Sequence, residues 1–393
     1  MKTIWLTVIS LALAALFALP VLWFGPARSA AAVDIGEKPV VADAANWPLF
    51  RGDPLSSGVA RSSLPTELEL VWKRSFDNEA FTSSPVIVDG TVFIGGLEGH
   101  LYALELSSGE EKWKYTVESE FAAAPAVRDG AVFIGDLYGK FYCVDARSGE
   151  EKWTFESSAS IDGSANFYKD RVLFGSQDAT LYCLNVADGS LVWKHQIDDQ
   201  IRCCPTIVEN LAFVAGCDGR LHLIDLDSGQ PAGSVAIDGP TMCTPAVHGD
   251  FAYVGTENET FFGINWRKAD VAWTYRHPQR NFAFRSSAAA AEDIVIVGGR
   301  DRMVHGLSPK DGSETWTFTT RARVDGSPVI VGDRIFIGSA DGRLYGLNRA
   351  TGKEVWQYEA GGGFSSSPAV AAGRLVIGND NGELLCFGAK AKP

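Results

Sequence analysis

The stretch that decides the fold begins Ser84-Pro85-Val86-Ile87-Val88-Asp89-Gly90-Thr91-Val92-Phe93-Ile94-Gly95-Gly96. It continues through Leu101-Tyr102-Ala103-Leu104 and ends Ser108-Gly109-Glu110-Glu111-Lys112-Trp113. Apolar residues alternate with period two in short runs, and turn dipeptides such as Asp89-Gly90 separate the runs, a pattern of short antiparallel strands. The same pattern recurs down the chain. Its closing Trp falls at Trp72, Trp113, Trp153, Trp193, Trp273, Trp316 and Trp356, with spacings of 41, 40, 40, 80, 43 and 40 residues. The spacing of 80 covers two units, with Gly233 where a Trp is due. The opening Pro falls at Pro85, Pro125, Pro205, Pro245, Pro328 and Pro368, with Ala165 and Ala288 in the equivalent places, so both series count to eight.

Four strands in about forty residues is the arithmetic of one propeller blade. The repeat therefore predicts an all-β fold, an eight-bladed β-propeller of four-stranded antiparallel blades, with the Trp residues docking blade on blade. After Pro368 the chain supplies only three strands, and before Pro85 it supplies one, Glu69 to Phe76. Pairing that N-terminal strand as the outer edge of the last blade closes the ring and removes the open edges. The propeller spans residues 67–388, preceded by a lead-in over 33–66 and followed by a tail over 389–393. Gly233 lacks a docking side chain and Pro231 lacks a backbone donor, so blade 4 is expected to open more readily than its neighbours.

Composition agrees with a folded, turn-rich chain. Among 393 residues there are 41 Gly, 17 Pro and 11 Trp, and 46% are apolar. Lys and Arg number 35 against 48 Asp and Glu, a net charge of −13, the wrong sign for a general nucleic-acid or anionic-membrane binder. Residues Ile4 to Phe24 are almost wholly apolar, with Lys2 before them and the small residues Ser29 to Ala32 after them. Residues 1–32 read as a signal peptide or as an uncleaved membrane anchor. Either way the remainder is exported to the periplasm or cell envelope, touches the membrane only through this segment, and forms a closed monomeric ring.

The closing motif, Ser108-Gly109-Glu110-Glu111-Lys112-Trp113 and Thr351-Gly352-Lys353-Glu354-Val355-Trp356 among its copies, resembles the docking motif of the pyrroloquinoline-quinone-type repeat propellers. That family includes quinoprotein dehydrogenases and also non-enzymatic propellers like BamB of outer-membrane β-barrel assembly. Asn46-Trp47-Pro48-Leu49-Phe50-Arg51-Gly52-Asp53 resembles the lead-in of exported BamB-like propellers, and Trp47 and Phe50 are expected to pack on the ring. The resemblance implies protein or peptide segments of the envelope as partners, with no catalytic residue, metal or cofactor. It carries an alternative, a dehydrogenase binding pyrroloquinoline quinone and calcium, whose methanol-oxidising members use a vicinal disulfide against the quinone. Cys203-Cys204 is the matching pair and the cofactor-binding candidate. The chain has no cysteine before Cys143, so the leader offers none for lipidation, unlike the BamB lipoprotein.

The residues themselves give little chemistry. Cys143, Cys183 and Cys386 occupy the strand position of Ala103 and read as small buried residues. Cys203 with Cys204 or Cys243 is the only disulfide group the spacing allows, and a reduced, structural role is the plainer reading. The six His fall in different units without metal-ligand spacing, and no nucleophile elbow or phosphate loop occurs. Trp47 and Trp266 lie outside the docking register and are the candidates for a carbohydrate-binding alternative.

Charge points to one mouth of the ring, where the turns between second and third strands join the inter-blade links. Blades 1 to 4 bring acids there, among them Asp77, Glu79, Glu98, Glu118, Glu120, Asp136, Asp162, Asp178, Asp198, Asp199 and Asp218. The long link into blade 6 brings Arg276, Arg280, Phe282, Phe284 and Arg285, with Arg300, Arg302, Arg321 and Arg323 close by. Arginine interleaved with aromatics suits a partner-binding patch, and these nine residues are its candidates. The plainer alternative is a rim paired with Asp301, Asp325 and Asp341.

Overall fold

A computed structural model describes residues 43–389; the leader, and with it the choice between signal and anchor, lies outside them. Blade 1 shows why this sequence makes this sheet. Its strands are β2 (Val86–Val88), β3 (Thr91–Gly95), β4 (His100–Glu105) and β5 (Glu111–Thr116), hydrogen-bonded in that order. β3 is buried at every residue because neighbouring blades cover both of its faces, whereas β5, the outer edge, alternates exposed and half-buried. The pattern repeats in blades spanning residues 126–156, 166–196, 206–236, 246–275, 289–319 and 329–359. Blade 8 takes β30 (Ala369–Ala371), β31 (Arg374–Gly378) and β32 (Glu383–Gly388) from the C-terminal end and β1 (Glu69–Ser75) from the N-terminal end. β1 runs antiparallel to β32, with Ser75 opposite Glu383 and Glu69 opposite Gly388, so the ring closes as the repeat arithmetic requires.

Each third-to-fourth strand pair carries a register shift beside the docking position, as between Ala103 and Leu104 opposite Trp113 and Glu111. The extra residue twists the outer strand and aims the indole at the next blade. There its N–H donates to a backbone carbonyl: Trp72 to Leu106 at 2.8 Å, Trp113 to Ala146 at 3.0 Å, Trp153 to Val186 at 3.0 Å and Trp193 to Leu226 at 3.1 Å. Trp273, Trp316 and Trp356 do the same to Pro309, Arg349 and Leu68. The glycine of the motif has a reason too. Gly109 adopts φ +70°, and a Cβ there would sit 2.7 Å from the Trp72 ring of the preceding blade.

Blade 4 departs from the rule, and the departure is compensated. A Cβ on Gly233 would meet nothing within 4 Å, yet the slot is filled from the other side. Trp266 of blade 5 packs its indole edge-on to Phe213, ring centroids 5.5 Å apart, much as Trp113 packs on Phe93 at 5.8 Å. Its N–H donates to Gly249 O, and the ring is 5% exposed. The next blade's docking glycine becomes Ala269 at φ +52°, which is tolerable only because no indole arrives from Gly233. The missing indole is therefore no reason for blade 4 to be loose. Trp47, 2% exposed, is buried as well, so neither tryptophan offers a free face to a sugar.

The lead-in threads the channel and bonds to every blade. Inner-strand N–H groups of Ile87, Val127, Ile207, Val247, Ala290 and Ile330 donate to the carbonyls of Trp47, Pro48, Pro54, Leu55, Ser57 and Gly58 at 2.8–3.0 Å. Blade 3 donates through the Asn166 side chain to Pro54 O, and blade 8 through Ala372 N–H to Ala44 O. These inner N–H groups would otherwise be unpaired on the channel wall.

Trp266→Ala should lower the unfolding free energy by about 3–5 kcal/mol, read from the denaturant midpoint. Gly233→Trp, which restores the repeat, should destabilise because two indoles cannot share one slot. Combining it with Trp266→Leu and Ala269→Gly should recover stability. In the wild type, amide exchange in the outer strand of blade 4 should be as slow as in blades 2 and 3.

Candidate functional site

With the lead-in filling the channel from one side, the other mouth becomes a blind cup of about 140 Å³ floored by Phe50. One residue per blade rings its wall, Ser84, Ala124, Ser164, Cys204, Thr244, Ser287, Ser327 and Ser367, and the charged side chains Asp162, Arg202, Arg285 and Asp325 also line it. Those hydroxyls stitch blade to blade. Ala124, Cys204, Thr244, Ser287, Ser327 and Ser367 each donate a backbone N–H to the hydroxyl of the next blade, at 2.9–3.0 Å.

Cys204 thus stands in a position that hydroxyls hold elsewhere. Its Sγ lies 3.8 Å from Ala165 O and 3.6 Å from Pro205 O. Cys203, 1% exposed, packs instead in the apolar core of blades 4 and 5. The two thiols diverge, as side chains of adjacent extended residues must, and all seven cysteines carry free thiols. Burial pushes the thiols of Cys143, Cys183, Cys203, Cys243 and Cys386 up to about 12, so they are protonated at neutral pH. Among the described residues no three His, Cys, Asp or Glu side chains gather as metal ligands. A quinone cofactor calls for a larger pocket, of about 300 Å³ or more, and the cup does not fit that group; the diverging thiols do not supply the vicinal disulfide that the resemblance to the methanol-oxidising members implies.

Below the cup lies a residue the sequence reading passed over. Arg51 is 2% exposed, and its Nη2 donates to Ala288 O at 3.1 Å and to Pro328 O. Nε and Nη1 have no hydrogen-bond partner among the described residues. Burial pushes the guanidinium down to about 9, offset in part by Asp53, so it remains charged at neutral pH. The chain thus places its own cation against carbonyls at the starts of the inner strands of blades 6 and 7. Gly58, at φ +66°, leaves the space that the guanidinium occupies.

The arginine sector forms as expected around the mouth, but most of its charge is spent. Arg285 grips Glu257 with two bonds of 2.7 and 3.1 Å, and Arg300 grips Asp325 at 2.8 and 2.9 Å. Arg323 takes the same Asp325 at 2.8 Å, and Arg276 takes Asp238 at 2.7 Å. Arg280 donates to Asp301 O at 3.0 Å. Arg280, Arg302 and Arg321 are exposed and make no ion pair among the described residues. Phe282 is 53% exposed. Phe284 is not at the surface: it is 3% exposed, seated over Gly255 and edge-on to Phe261, because the link must plug the seam between blades 5 and 6.

The acidic sector divides differently. Glu79, Asp136, Asp178 and Asp218 hold the turns between second and third strands, accepting from Tyr102, Tyr142, Tyr182 and His222, and Asp162 pairs with Arg202 at 2.8 Å. Asp77, Glu98, Glu118, Glu120, Asp198 and Asp199 have no ion pair among the described residues. The uncompensated charge on this face is therefore mainly acidic. Within it stands Tyr138, 74% exposed and absent from the sequence reading. Aligning the turns would have found it, since Glu98, Asp178, Asp218, Asn258, Asp301, Asp341 and Asn381 hold that place elsewhere.

A family model described as outer membrane protein assembly factor BamB matches residues 65–203 and 198–387. The chain has no sequence match among curated proteins. Among solved structures it is similar to BamB from Moraxella catarrhalis, at 21% identity and TM-score 0.69 over 83% of this chain and 99% of that one. It is also similar to the quinohemoprotein alcohol dehydrogenase of Comamonas testosteroni, at 13% identity and TM-score 0.75 over 90% of this chain and 82% of that one. The computationally designed protein Ika8 shares 16% identity at TM-score 0.70, over 80% and 98%. At these identities the structural likenesses show the fold alone.

Two outcomes follow from the site. Arg51→Ala should loosen the lead-in, so protease cleavage between residues 43 and 64 becomes faster while the ring stays folded. The second concerns acid. Burial raises the Asp325 carboxyl, but Arg300 and Arg323 more than offset this and hold it below its ordinary 3.8. A depressed carboxyl stabilises the fold above its unfolded value, and that stability is lost as pH falls through the folded value. Asp325→Asn should therefore melt earlier than wild type at neutral pH, and the gap should close as pH is taken well below 3.8.

Proposed function

Because the chain belongs to the family of the outer membrane protein assembly factor BamB, we propose that it is a non-catalytic propeller that binds protein segments in the cell envelope. The observation that carries this reading is the division of the channel. The lead-in occupies one end, with Arg51 buried against blades 6 and 7, so what remains is a face of turns and links around a small cup. Such a face is suited to contact with a macromolecule rather than to enclosure of a substrate.

The first contact region is the link into blade 6. Phe282 supplies an exposed ring, and Arg280, Arg302 and Arg321 supply forks that no carboxylate among the described residues engages. Arg276, Arg285, Arg300 and Arg323 shape this region through their ion pairs, and Phe284 supports it from beneath. The dehydrogenase reading draws on fold likeness alone.

Co-purification from the native envelope tests the proposal. The wild-type chain should retain a defined set of proteins, and the combined variant Phe282→Ala, Arg280→Glu, Arg302→Glu, Arg321→Glu should lose at least one while melting as wild type does. An unchanged set would count against this region, and an empty set with the wild type would count against the protein-binding reading itself.

A further inference from the structure

Tyr138 stands on the same face as that region, on blade 2, half a turn of the ring away. In blades 3, 4, 6 and 7 its place is taken by Asp178, Asp218, Asp301 and Asp341. Each accepts the N–H two residues on, at 3.0–3.2 Å, and so holds its turn. Asp178 and Asp341 also accept from the tyrosine two strand positions further, Tyr182 and Tyr345. Blade 2 has moved these duties upstream. Asp136, 1% exposed, accepts from Tyr138 N–H at 2.9 Å, Lys140 N–H at 2.8 Å and Tyr142 hydroxyl at 2.7 Å. The tip position is freed of any structural task, and the chain fills it with the most exposed large hydrophobic side chain among the described residues, at 74%.

Beside it runs a groove of about 560 Å³ between blades 1 and 2, walled by Tyr115, Val117, Tyr138 and Tyr142. Its charged side chains are Glu118, Asp136, Lys140 and Glu156. Asp136 is consumed by the turn, and the Lys140 ammonium lies 5.2 Å from the Tyr142 ring centre. Glu118 and Glu156 are exposed and make no ion pair among the described residues, and the unpaired Glu98 and Glu120 lie in the adjoining turn and link.

We propose that this groove is a second partner site, taking an extended protein segment that carries Arg or Lys, with Tyr138 as its anchor. An exposed tyrosine supplies contact area at small entropic cost and a ring face for a cation, and the free glutamates select basic over acidic segments. The inference rests on the protein-binding reading and adds a site and a partner chemistry to it.

The test places a photo-cross-linker in the full chain, Tyr138→p-benzoylphenylalanine, in its native envelope, and reads the cross-linked segment by mass spectrometry. The same substitution at Asn381, the equivalent tip of blade 8, is the control. The expected result is an adduct at position 138 on a segment containing Arg or Lys. Glu118→Lys with Glu156→Lys should lower its yield by about tenfold while the melting temperature is unchanged. The proposal is overturned by no adduct above the Asn381 control, by a segment lacking basic residues, or by a yield indifferent to the charge reversal. If the wild type still co-purifies its proteins but position 138 yields no adduct, this site fails and the protein-binding reading stands.

Discussion

The ring depends on one repeated interaction, an indole N–H donated across a blade seam to a backbone carbonyl. Six of the seven docking Trp rely on three local devices: a bulge that aims the ring, a glycine at positive φ that admits it, and a carbonyl left open by the turn it meets. The bulge and the glycine sit in one six-residue motif and the carbonyl comes two residues before it, which is why this short stretch is repeated so faithfully. The seam between blades 4 and 5 shows how tight the coupling is. Losing the indole at Gly233 goes with an alanine at position 269 and a replacement ring from Trp266, so the slot is conserved though the residue is not.

Much of this was legible in the sequence because β-structure with a forty-residue period announces its strands, turns and closure directly. Eight blades, the orphan strand Glu69–Ser75 and the seven docking residues could all be read from spacing. What spacing could not show was side-chain direction and pairing. Trp266 is out of register, so its structural task is visible only once Phe213 is beside it in space. Phe284 reads like its exposed neighbour Phe282 until the seam it plugs is in place. Arg51 looked like one charge in a polar lead-in, and only the carbonyls of Ala288 and Pro328, from two neighbouring blades, show where it is buried.

The charge of the face followed the same logic. Counting residues put a basic patch against an acidic background, but bidentate pairs such as Arg285 with Glu257 and Arg300 with Asp325 neutralise most of that patch. The acids of blades 1 to 3 that have no such partners are then the dominant free charge. Formal charge in a sequence is an inventory of what can pair, whereas recognition acts through what remains unpaired.

The closure of blade 8 has a bearing on how the chain comes to be folded. Residues 69–75, made early, complete a sheet whose other strands are residues 369–388, made last, and the lead-in bonds to all eight blades in between. Seven blades can stack as they emerge, yet the ring cannot lock until the final strand is delivered. Until then the chain has an unpaired strand at one end and an unfinished sheet at the other, a long-range contact of the kind that slows folding and exposes edges to the wrong neighbour. The architecture that leaves the finished molecule without a free seam thus concentrates its vulnerability in the interval before the last strand arrives.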